Sequence, residues 1–267
     1  MNVTPCILLT NDDGIGSPGL LAAARALDGL GRLTIAAPRE QSSGAGRGMP
    51  PSSDGIIERR DLRDGDREWT AYAVGGSPAQ VVQHAVLEIM TDEPDLVVSG
   101  INYGENVGTA VTISGTIGAA LEAASHGIPA LAVSVETTVR EHLTNPRDTD
   151  FTAAMCFAAR FARLLLEREV PGDVHVLKVD VPRDATPDTP WEVARLSRQR
   201  YYRAKPSPRR AWCEPHRIPY EQDDDLSAYA ADCDVSVLRV KRHVAVTPLS
   251  LDLTSRVPLA DLDRLLR

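Results

Sequence analysis

The hydrophobic positions of this chain form short apolar runs that alternate with longer amphipathic segments through the first two thirds of its length. Each short run ends in polar or turn-forming residues, which is the pattern of a strand buried on both faces of a sheet. Such strands are predicted at residues 6–10, 33–37, 96–99, 130–134 and 174–181. Strands separated by helices predict an α/β fold, with a largely parallel sheet and helices on both of its faces.

Capping residues mark where the intervening helices begin and end. The dipeptides Ser17-Pro18 and Ser77-Pro78 each place a capping hydroxyl before a proline, which is tolerated in the first helical turn. Ser114 opens a third helix of small residues, and Gly127 closes it. The helices are therefore predicted at residues 17–30, 77–89, 114–127 and 151–169.

Three connections differ from simple turns. Residues 39–54 are polar and rich in Gly and Ser, and this segment is either a functional loop or disordered, because it is too long for an ordinary connection. Two polar strands at 56–60 and 69–74 predict a β-hairpin. Residues 100–113 are predicted to be a loop.

The character of the chain changes after Pro182. We predict a core of residues 1–185, including the hairpin at about 55–75, and a C-terminal extension of residues 186–267. Within the extension, residues 235–248 predict one or two β-strands. We interpret the extension as arms that pack on the core or exchange with a partner subunit.

Composition excludes some partners. Lys and Arg number 29 and Asp and Glu 37, so the net charge of −8 argues against a grip on polymeric nucleic acid, which depends on neutralising phosphates. No apolar run approaches the roughly 20 residues that a membrane-spanning helix needs. Residues 1–10 lack the basic start of a signal peptide, so we expect a cytoplasmic protein without a membrane partner. The four cysteines have no zinc-binding spacing.

Candidate chemistry lies where the predicted strands end, because ligands of open parallel sheets bind beyond the carboxyl ends of the strands. Asp12 and Asp13 follow the first strand, Ser43 lies in the loop after the second, and Asn102 follows the third. All are oxygen donors, a set that favours Mg²⁺, Mn²⁺ or Ca²⁺ over zinc. The alternative for the aspartates is that one caps the next helix and the other is solvated.

A second candidate element is the sequence SGTIGAA at residues 114–120. Small residues at a helix N-terminus let backbone N–H groups approach an anion, and the helix dipole favours negative charge there. The alternative is a plain N-cap followed by close helix packing. Beside a metal site this element becomes a phosphate cradle, and the combination indicates metal-assisted hydrolysis of a phosphate ester. One of Asp12 and Asp13 would bind the ion while the other orients or deprotonates water.

These motifs, taken together and in this order, closely resemble the SurE family, the survival-protein-E type 5'-nucleotidases. The resemblance is carried by ILLTNDDG at residues 7–14, PDLVVSGIN at 94–102, SGT at 114–116, and VTPL at 246–249 with DLT at 252–254. It implies a Rossmann-like three-layer sandwich and a divalent-metal-dependent phosphatase that acts on nucleoside 5'-monophosphates. It also implies a homodimer or homotetramer that exchanges C-terminal segments.

The resemblance assigns roles to individual residues. One divalent ion per subunit, Mg²⁺ or Mn²⁺ with Ca²⁺ also accommodated, would be held by Asp12, Asp13, Ser43 and Asn102. The substrate phosphate would contact Asn106, Ser114, Gly115 and Thr116. Asp12 and Asp13 are then the expected catalytic residues.

Other classes of protein fit the sequence less well. A phosphoreceiver domain needs a lysine near its phosphoryl group, and this chain has no lysine before Lys178. A haloacid-dehalogenase-type phosphatase needs an Asp-x-Asp motif, whereas Asp12 and Asp13 are adjacent. The alternative that stays open is a non-catalytic nucleotide- or phosphate-binding protein that retains the metal site.

Overall fold

The computed structural model describes residues 4–267, and within that range nine strands form one sheet and two more form a separate ribbon. The strands are β1 (Cys6–Thr10), β2 (Arg32–Pro38), β3 (Ile57–Asp64), β4 (Arg67–Val74), β5 (Leu96–Tyr103), β6 (Ala130–Val135), β7 (Val176–Val181), β8 (Trp191–Val193), β9 (Tyr202–Ala204), β10 (Tyr220–Gln222) and β11 (Val244–Leu249). The α-helices are α1 (Pro18–Leu27), α2 (Pro78–His84), α3 (Gly115–Ser125), α4 (Thr152–Glu167) and α5 (Leu259–Leu266).

The large sheet has the strand order β3-β4-β2-β1-β5-β6-β7-β11-β8. The six strands from β4 to β7 in this order are parallel. At the edges, β3 is antiparallel to β4, and β11 is antiparallel to β7 and parallel to β8. The chain leaves β1 for β2 on one side and returns to β5 on the other, so the order reverses between β1 and β5. A reversal of this kind is where open α/β sheets bind ligands.

Helices cover both faces of this sheet. Ile7 and Leu9 of β1 pack in the cluster that includes the apolar residues of α1 and α4. Leu8, which points to the opposite face because side chains alternate along a strand, packs with α2 and α3. The predicted α/β fold with a mostly parallel sheet between two helical layers is confirmed, and so is the burial of β1 on both faces.

The predicted helix starts are confirmed by their capping hydrogen bonds. Ser17 Oγ accepts from Gly19 N at 3.2 Å, and Ser114 Oγ accepts from Ile117 N at 3.2 Å. Ser77 forms a reciprocal capping box with Gln80. The first helix is shorter than predicted, because α1 ends at Leu27 rather than near residue 30. The predicted hairpin is confirmed as β3 and β4, which pair from Ile57 opposite Val74 to Asp64 opposite Arg67.

One sequence-based prediction was wrong. The segment 100–113 is not a loop throughout, because β5 continues to Tyr103 and a 3₁₀ turn spans Gly108–Thr112. The prediction of one or two strands within 235–248 is confirmed for one strand, Val244–Leu249, and Ser236–Val240 before it is a helical turn.

The long connection 39–54 is anchored to the sheet edge at several points. Ser42 N donates to the carbonyl of Asp12 at 2.7 Å, and Gly46 N donates to the carbonyl of Ile113 at 2.9 Å. Arg47 Nε is 2.6 Å from Glu122 Oε2 on α3. These contacts fix Ser43 beside the ends of β1 and α3. The connection 39–54 is therefore an ordered loop, and the alternative that it is disordered does not hold.

The C-terminal extension supplies β8 and β11 to the large sheet. It also supplies most of a small apolar cluster in which Tyr201, Tyr229 and Leu238 pack with Val107 of the core. In contrast, α5 buries none of its residues, and Leu253, Leu265 and Leu266 are 93%, 79% and 80% exposed. Among the helices described, none is long and apolar enough to cross a bilayer.

Candidate active site

The turn after β1 is closed by the side chain of Asn11. Its Oδ1 accepts from Gly14 N at 3.2 Å and its Nδ2 donates to the carbonyl of Gly14 at 3.1 Å. Gly14 has φ of +93°, a conformation that residues with a side chain rarely adopt. This clamp holds Asp12 and Asp13 at the carboxyl end of β1, beside the point where the strand order reverses.

Asp12 lies against the N-terminus of α3. Its Oδ1 accepts a hydrogen bond from Thr116 Oγ1 at 2.6 Å. A Cβ on Gly115 would lie 2.7 Å from the Cβ of Asp12, so only glycine allows the carboxylate to approach the helix this closely. The two elements that the sequence analysis singled out separately, the aspartate pair and the SGT sequence, are therefore in direct contact.

Asp13 is held by groups from two other elements. Its Oδ2 accepts from the backbone N of Tyr103 in β5 at 3.3 Å, and its Oδ1 accepts from Gln41 Nε2 at 3.2 Å. The same Gln41 nitrogen is 3.0 Å from Ser43 Oγ and 2.9 Å from the carbonyl of His142. Gln41 thus links two of the predicted ligands. The sequence analysis missed it, because a single amide in a loop carries no pattern.

Both carboxylates are almost completely buried, with exposures of 3% for Asp12 and 6% for Asp13. Burial raises the pKa of Asp12, and hydrogen bonds from Thr116 and the backbone partly offset this. Burial and the neighbouring charge of Asp12 raise the pKa of Asp13 well above its ordinary value. Neither forms an ion pair with an Arg, Lys or His anywhere in residues 4–267. Two buried carboxylates without a counter-charge are costly, and a bound cation removes that cost.

Asn102 reaches the site through a bulge in β5. The pairing of β5 with β6 shifts between Ser99 and Asn102, and Gly100 within the bulge has φ of +135°. A Cβ at Gly100 would lie 2.3 Å from the carbonyl oxygen of Val133, so the bulge requires glycine. Asn102 Nδ2 donates to the carbonyl of Gly104 at 2.6 Å, and Asn102 Oδ1 has no protein donor within the described part of the chain.

The residues present fit a hard divalent cation. The described residues contain no group of three or more His, Cys, Asp or Glu side chains that could hold an ion, so a site here depends on amide and hydroxyl oxygens as well. Two buried carboxylates, the amide oxygen of Asn102 and the Ser43 hydroxyl could supply such a set. Oxygen donors of this kind suit Mg²⁺, Mn²⁺ and Ca²⁺ rather than zinc or copper.

The predicted phosphate contacts have different environments. Ser114 caps α3 as an acceptor, which leaves its own hydroxyl proton available for a further partner. The hydroxyl proton of Thr116 is instead donated to Asp12. Asn106 is buried beyond the end of β5, where its Nδ2 donates to Ser134 Oγ at 2.9 Å and its backbone N donates to Asp180 Oδ1 at 2.7 Å. No direct hydrogen bond joins Asn106 to Asp12 or Asp13 among the residues described.

Two open cavities border the site. One of about 340 Å³ is lined by Asp13, Gly14, Gln41 and Arg147. The other, of about 500 Å³, is lined by Ser43 and by the glycines that follow β4. Arg39 and Glu40 line both cavities, which therefore flank one short stretch of the 39–54 connection. Most of the side chains that line the two cavities are polar or charged.

The fold and this site define an α/β protein of Rossmann-like topology, with two buried carboxylates at the switch point of its sheet. The chain belongs to the SurE family, because the sequence model described as "Survival protein SurE" matches residues 7–203. The chain is 39% identical to the 5'-nucleotidase SurE of Methanosarcina mazei, over 99% of this chain and 98% of that protein. It is 40% identical to the 5'-nucleotidase SurE of Thermococcus gammatolerans, over 97% and 95% of the two chains.

Comparison with solved structures agrees with this family. The crystal structure of the SurE protein from Aquifex aeolicus superposes with a TM-score of 0.74 at 28% identity, covering 98% of this chain and all of that one. The resemblance inferred from the sequence motifs is confirmed.

The contact between Thr116 and Asp12 generates a prediction about cation binding. Thr116→Val removes the hydroxyl without changing the side-chain shape, and we expect Mn²⁺ affinity to fall about tenfold, because one buried hydrogen bond to a charged group is worth about 1.5 kcal/mol. Thr116→Ser keeps the hydroxyl and should bind Mn²⁺ nearly as the parent protein does. Isothermal titration calorimetry measures both. Equal affinity in the parent and the Val variant would show that Thr116 does not orient Asp12.

Proposed function

We propose that this chain is a divalent-metal-dependent phosphomonoesterase that hydrolyses nucleoside 5'-monophosphates to nucleoside and phosphate. The observation that carries the proposal is the pair of buried carboxylates at the β1 end, which contacts the N-terminus of α3 and has no basic partner among residues 4–267. Membership of the SurE family supports it, as does the name 5'-nucleotidase SurE carried by relatives that align over nearly the whole chain.

Asp12, Asp13, Ser43 and Asn102 would hold one ion, Mg²⁺ or Mn²⁺, and the same oxygen set also fits Ca²⁺. When bound, such an ion polarises a phosphoryl oxygen and makes a water molecule a better nucleophile at neutral pH. The ion would at the same time neutralise the repulsion between the two carboxylates.

The contacts of the two aspartates differ, and so do their proposed roles. Asp12 is fixed by Thr116 and by the closeness of Gly115, which suits a carboxylate that holds the ion in one place. Asp13 borders an open cavity, so its carboxylate is accessible from that side to a water molecule whose proton it could accept. We assign Asp13 to orienting the attacking water and taking its proton, in addition to contacting the ion.

Phosphate would bind at the start of α3 and at the end of β5. The Ser114 hydroxyl has a proton free to donate, and the N–H groups at Gly115 and Thr116 lie at the positive end of the helix dipole. Because the Thr116 hydroxyl donates to Asp12, we expect Thr116 to contribute through its backbone. Asn106 would contribute its side-chain amide. The nucleoside would occupy one of the two cavities beside Arg39.

Replacement of Asp13 tests the catalytic assignment. Asp13→Asn keeps the side-chain shape but removes the charge and the proton acceptor, so we expect kcat for AMP hydrolysis with Mn²⁺ to fall by about 10²–10⁴, the range that general bases contribute. Release of inorganic phosphate measures this. Asp66→Asn, at the exposed tip of the β3–β4 hairpin, is the matched control and should be unchanged.

Three outcomes of this assay are informative. Parent activity that disappears on chelation supports the metal-dependent hydrolase. An Asp13→Asn variant as active as the parent would contradict the role given to Asp13. A parent protein that binds AMP with Mn²⁺ but never releases phosphate would instead identify a non-catalytic nucleotide-binding protein.

We further propose that the extension 186–267 exchanges its end with a partner subunit, in a homodimer or homotetramer. Helix α5 has leucines at positions 259, 262, 265 and 266, a spacing that forms an apolar stripe along one side of a helix. None of the residues of α5 is buried within its own chain. Apolar stripes of this kind are normally covered, and a second copy of the same chain offers a symmetric way to cover it.

Truncation after Thr254 tests the exchange. We expect the shortened protein to lose the oligomer of the full-length chain, because the apolar stripe of α5 would be gone while the sheet, including β11, stays complete. Light scattering coupled to size exclusion measures the mass. The control is the full-length variant Asp261→Asn, which changes only the polar side of α5 and should keep the parent mass. Parent mass in the truncated protein would contradict the exchange through α5.

A further inference from the structure

The middle of β7 contains a buried charge cluster that the proposed mechanism does not use. Lys178, Asp180 and Asp234 are each completely inaccessible to solvent. Lys178 Nζ contacts Asp180 Oδ2 and lies 3.3 Å from Asp234 Oδ2. Lys178 and Asp180 lie on the same face of β7 because they are two residues apart, whereas Asp234 comes from the C-terminal extension.

A buried charge cluster of this kind contributes little net free energy to folding. Removing three charges from water has a desolvation cost that the mutual attraction does not reliably exceed, and apolar side chains of the same volume often replace buried ion pairs without loss. The alternative role for buried ions is to fix one arrangement of the surrounding chain. The remaining hydrogen bonds of the two carboxylates show what is fixed here.

Both carboxylates bind the backbone of the segment that follows β5. Asp180 Oδ1 accepts from Asn106 N at 2.7 Å, and Asp234 Oδ2 accepts from Gly108 N at 2.9 Å. The other oxygen of Asp234 accepts from Ser197 N at 2.9 Å and from Val235 N at 3.0 Å. Lys178 therefore contacts both carboxylates. The two carboxylates in turn bind the backbone N–H groups of Asn106 and Gly108, and so hold the 105–108 segment against the C-terminal extension.

The segment has little freedom to settle elsewhere. Gly108 has φ of +57°, and a Cβ at this position would lie 2.8 Å from the carbonyl oxygen of Gln199. On its other side the Asn106 side chain donates to Ser134 Oγ at 2.9 Å. Asp180 thus holds the backbone N–H of Asn106, and Ser134 holds its side-chain amide.

We propose that Asp180 is a positioning residue for Asn106, and that Lys178 is the buried counter-charge that holds the Asp180 carboxylate directed at Asn106 N. This inference rests on the proposed function, in which Asn106 contacts the substrate phosphate. A phosphate ligand misplaced by about 1 Å can cost about 10² in rate, so the cluster acts on turnover without touching substrate.

A matched pair of variants tests the positioning role. Lys178→Met/Asp180→Leu and Lys178→Met/Asp180→Asn both remove the ion pair and leave the net charge of the cluster unchanged. Only the Asn version keeps an acceptor oxygen for Asn106 N. The probe is inorganic phosphate, measured with Mn²⁺ as a competitive inhibitor of p-nitrophenyl phosphate hydrolysis. Mn²⁺ affinity is measured in parallel, and Lys241→Met, which breaks the exposed contact with Glu192, is the control.

We expect the Leu version to raise the inhibition constant for phosphate at least tenfold, the Asn version to raise it less than threefold, and Mn²⁺ affinity to stay unchanged in both. In an Asn106→Ala background the Leu version should have no further effect, because the group that it positions is gone. A merely structural role predicts the same shift in both versions, and that result would overturn the proposal. An undiminished further effect in the Asn106→Ala background would also overturn it.

Hydrogen exchange gives a readout that requires no variant to fold. In the parent protein the amides of Asn106 and Gly108 should exchange only as fast as the whole protein unfolds. Rapid local exchange at both amides would overturn the positioning role while leaving the proposed function intact. A parent protein that neither hydrolyses phosphate esters nor is inhibited by phosphate would overturn the proposed function, and the positioning inference with it.

Discussion

The repulsion between two carboxylates at consecutive buried positions is the constraint on which the rest of this site depends. Asp12 and Asp13 expose 3% and 6% of their surface, and burial raises the pKa of both. The desolvation penalty for each buried ion is several kcal/mol, whereas a hydrogen bond to a charged group returns about 1.5–3 kcal/mol. The bonds from Thr116, Gln41 and Tyr103 N therefore offset part of the cost, and in the proposed function a divalent cation would offset the remainder. Under that proposal, binding of the cation and folding of this edge of the sheet would be linked.

Close backbone packing brings the segments that carry the predicted ligands to the same edge of the sheet. Gly115 lets α3 approach Asp12, and Gly100 lets β5 bulge against β6 so that Asn102 reaches the same edge. Glycine is required at both positions because a Cβ would lie under 3 Å from neighbouring atoms. The connection that carries Ser43 is held in place by two backbone N–H groups, which donate to the carbonyl oxygens of Asp12 and Ile113. The site is thus assembled from four segments whose positions are fixed by close backbone packing.

The sequence predicted the parts of this arrangement that depend on local chemistry. Acidic and amide residues directly after buried strands located Asp12, Asp13 and Asn102, and a serine before a run of small residues located the start of α3. Gln41 was missed because its role depends on the path of a long loop, and the continuation of β5 was missed because a bulge is set by its neighbour β6. The helical turn at Ser236–Val240 follows from packing, since its valines favour a strand. The Lys178 cluster was missed because it joins residues 178 and 180 to residue 234, which is far away in the sequence, and no local pattern links them.

The most direct test of the central claim is the anomalous scattering of manganese in crystals of the parent protein grown or soaked with Mn²⁺. The account predicts one strong peak per subunit, within coordination distance of oxygen atoms from Asp12, Asp13, Ser43 and Asn102. The account also agrees with carboxylates that draw together around the ion while Gln41 moves away from Asp13. In the metal-free protein the Gln41 amide would then be the group that partly compensates the charge of Asp13. A fully occupied peak elsewhere, with Asp12 and Asp13 still bound only to protein donors, would contradict the claim that this pair exists to hold a cation.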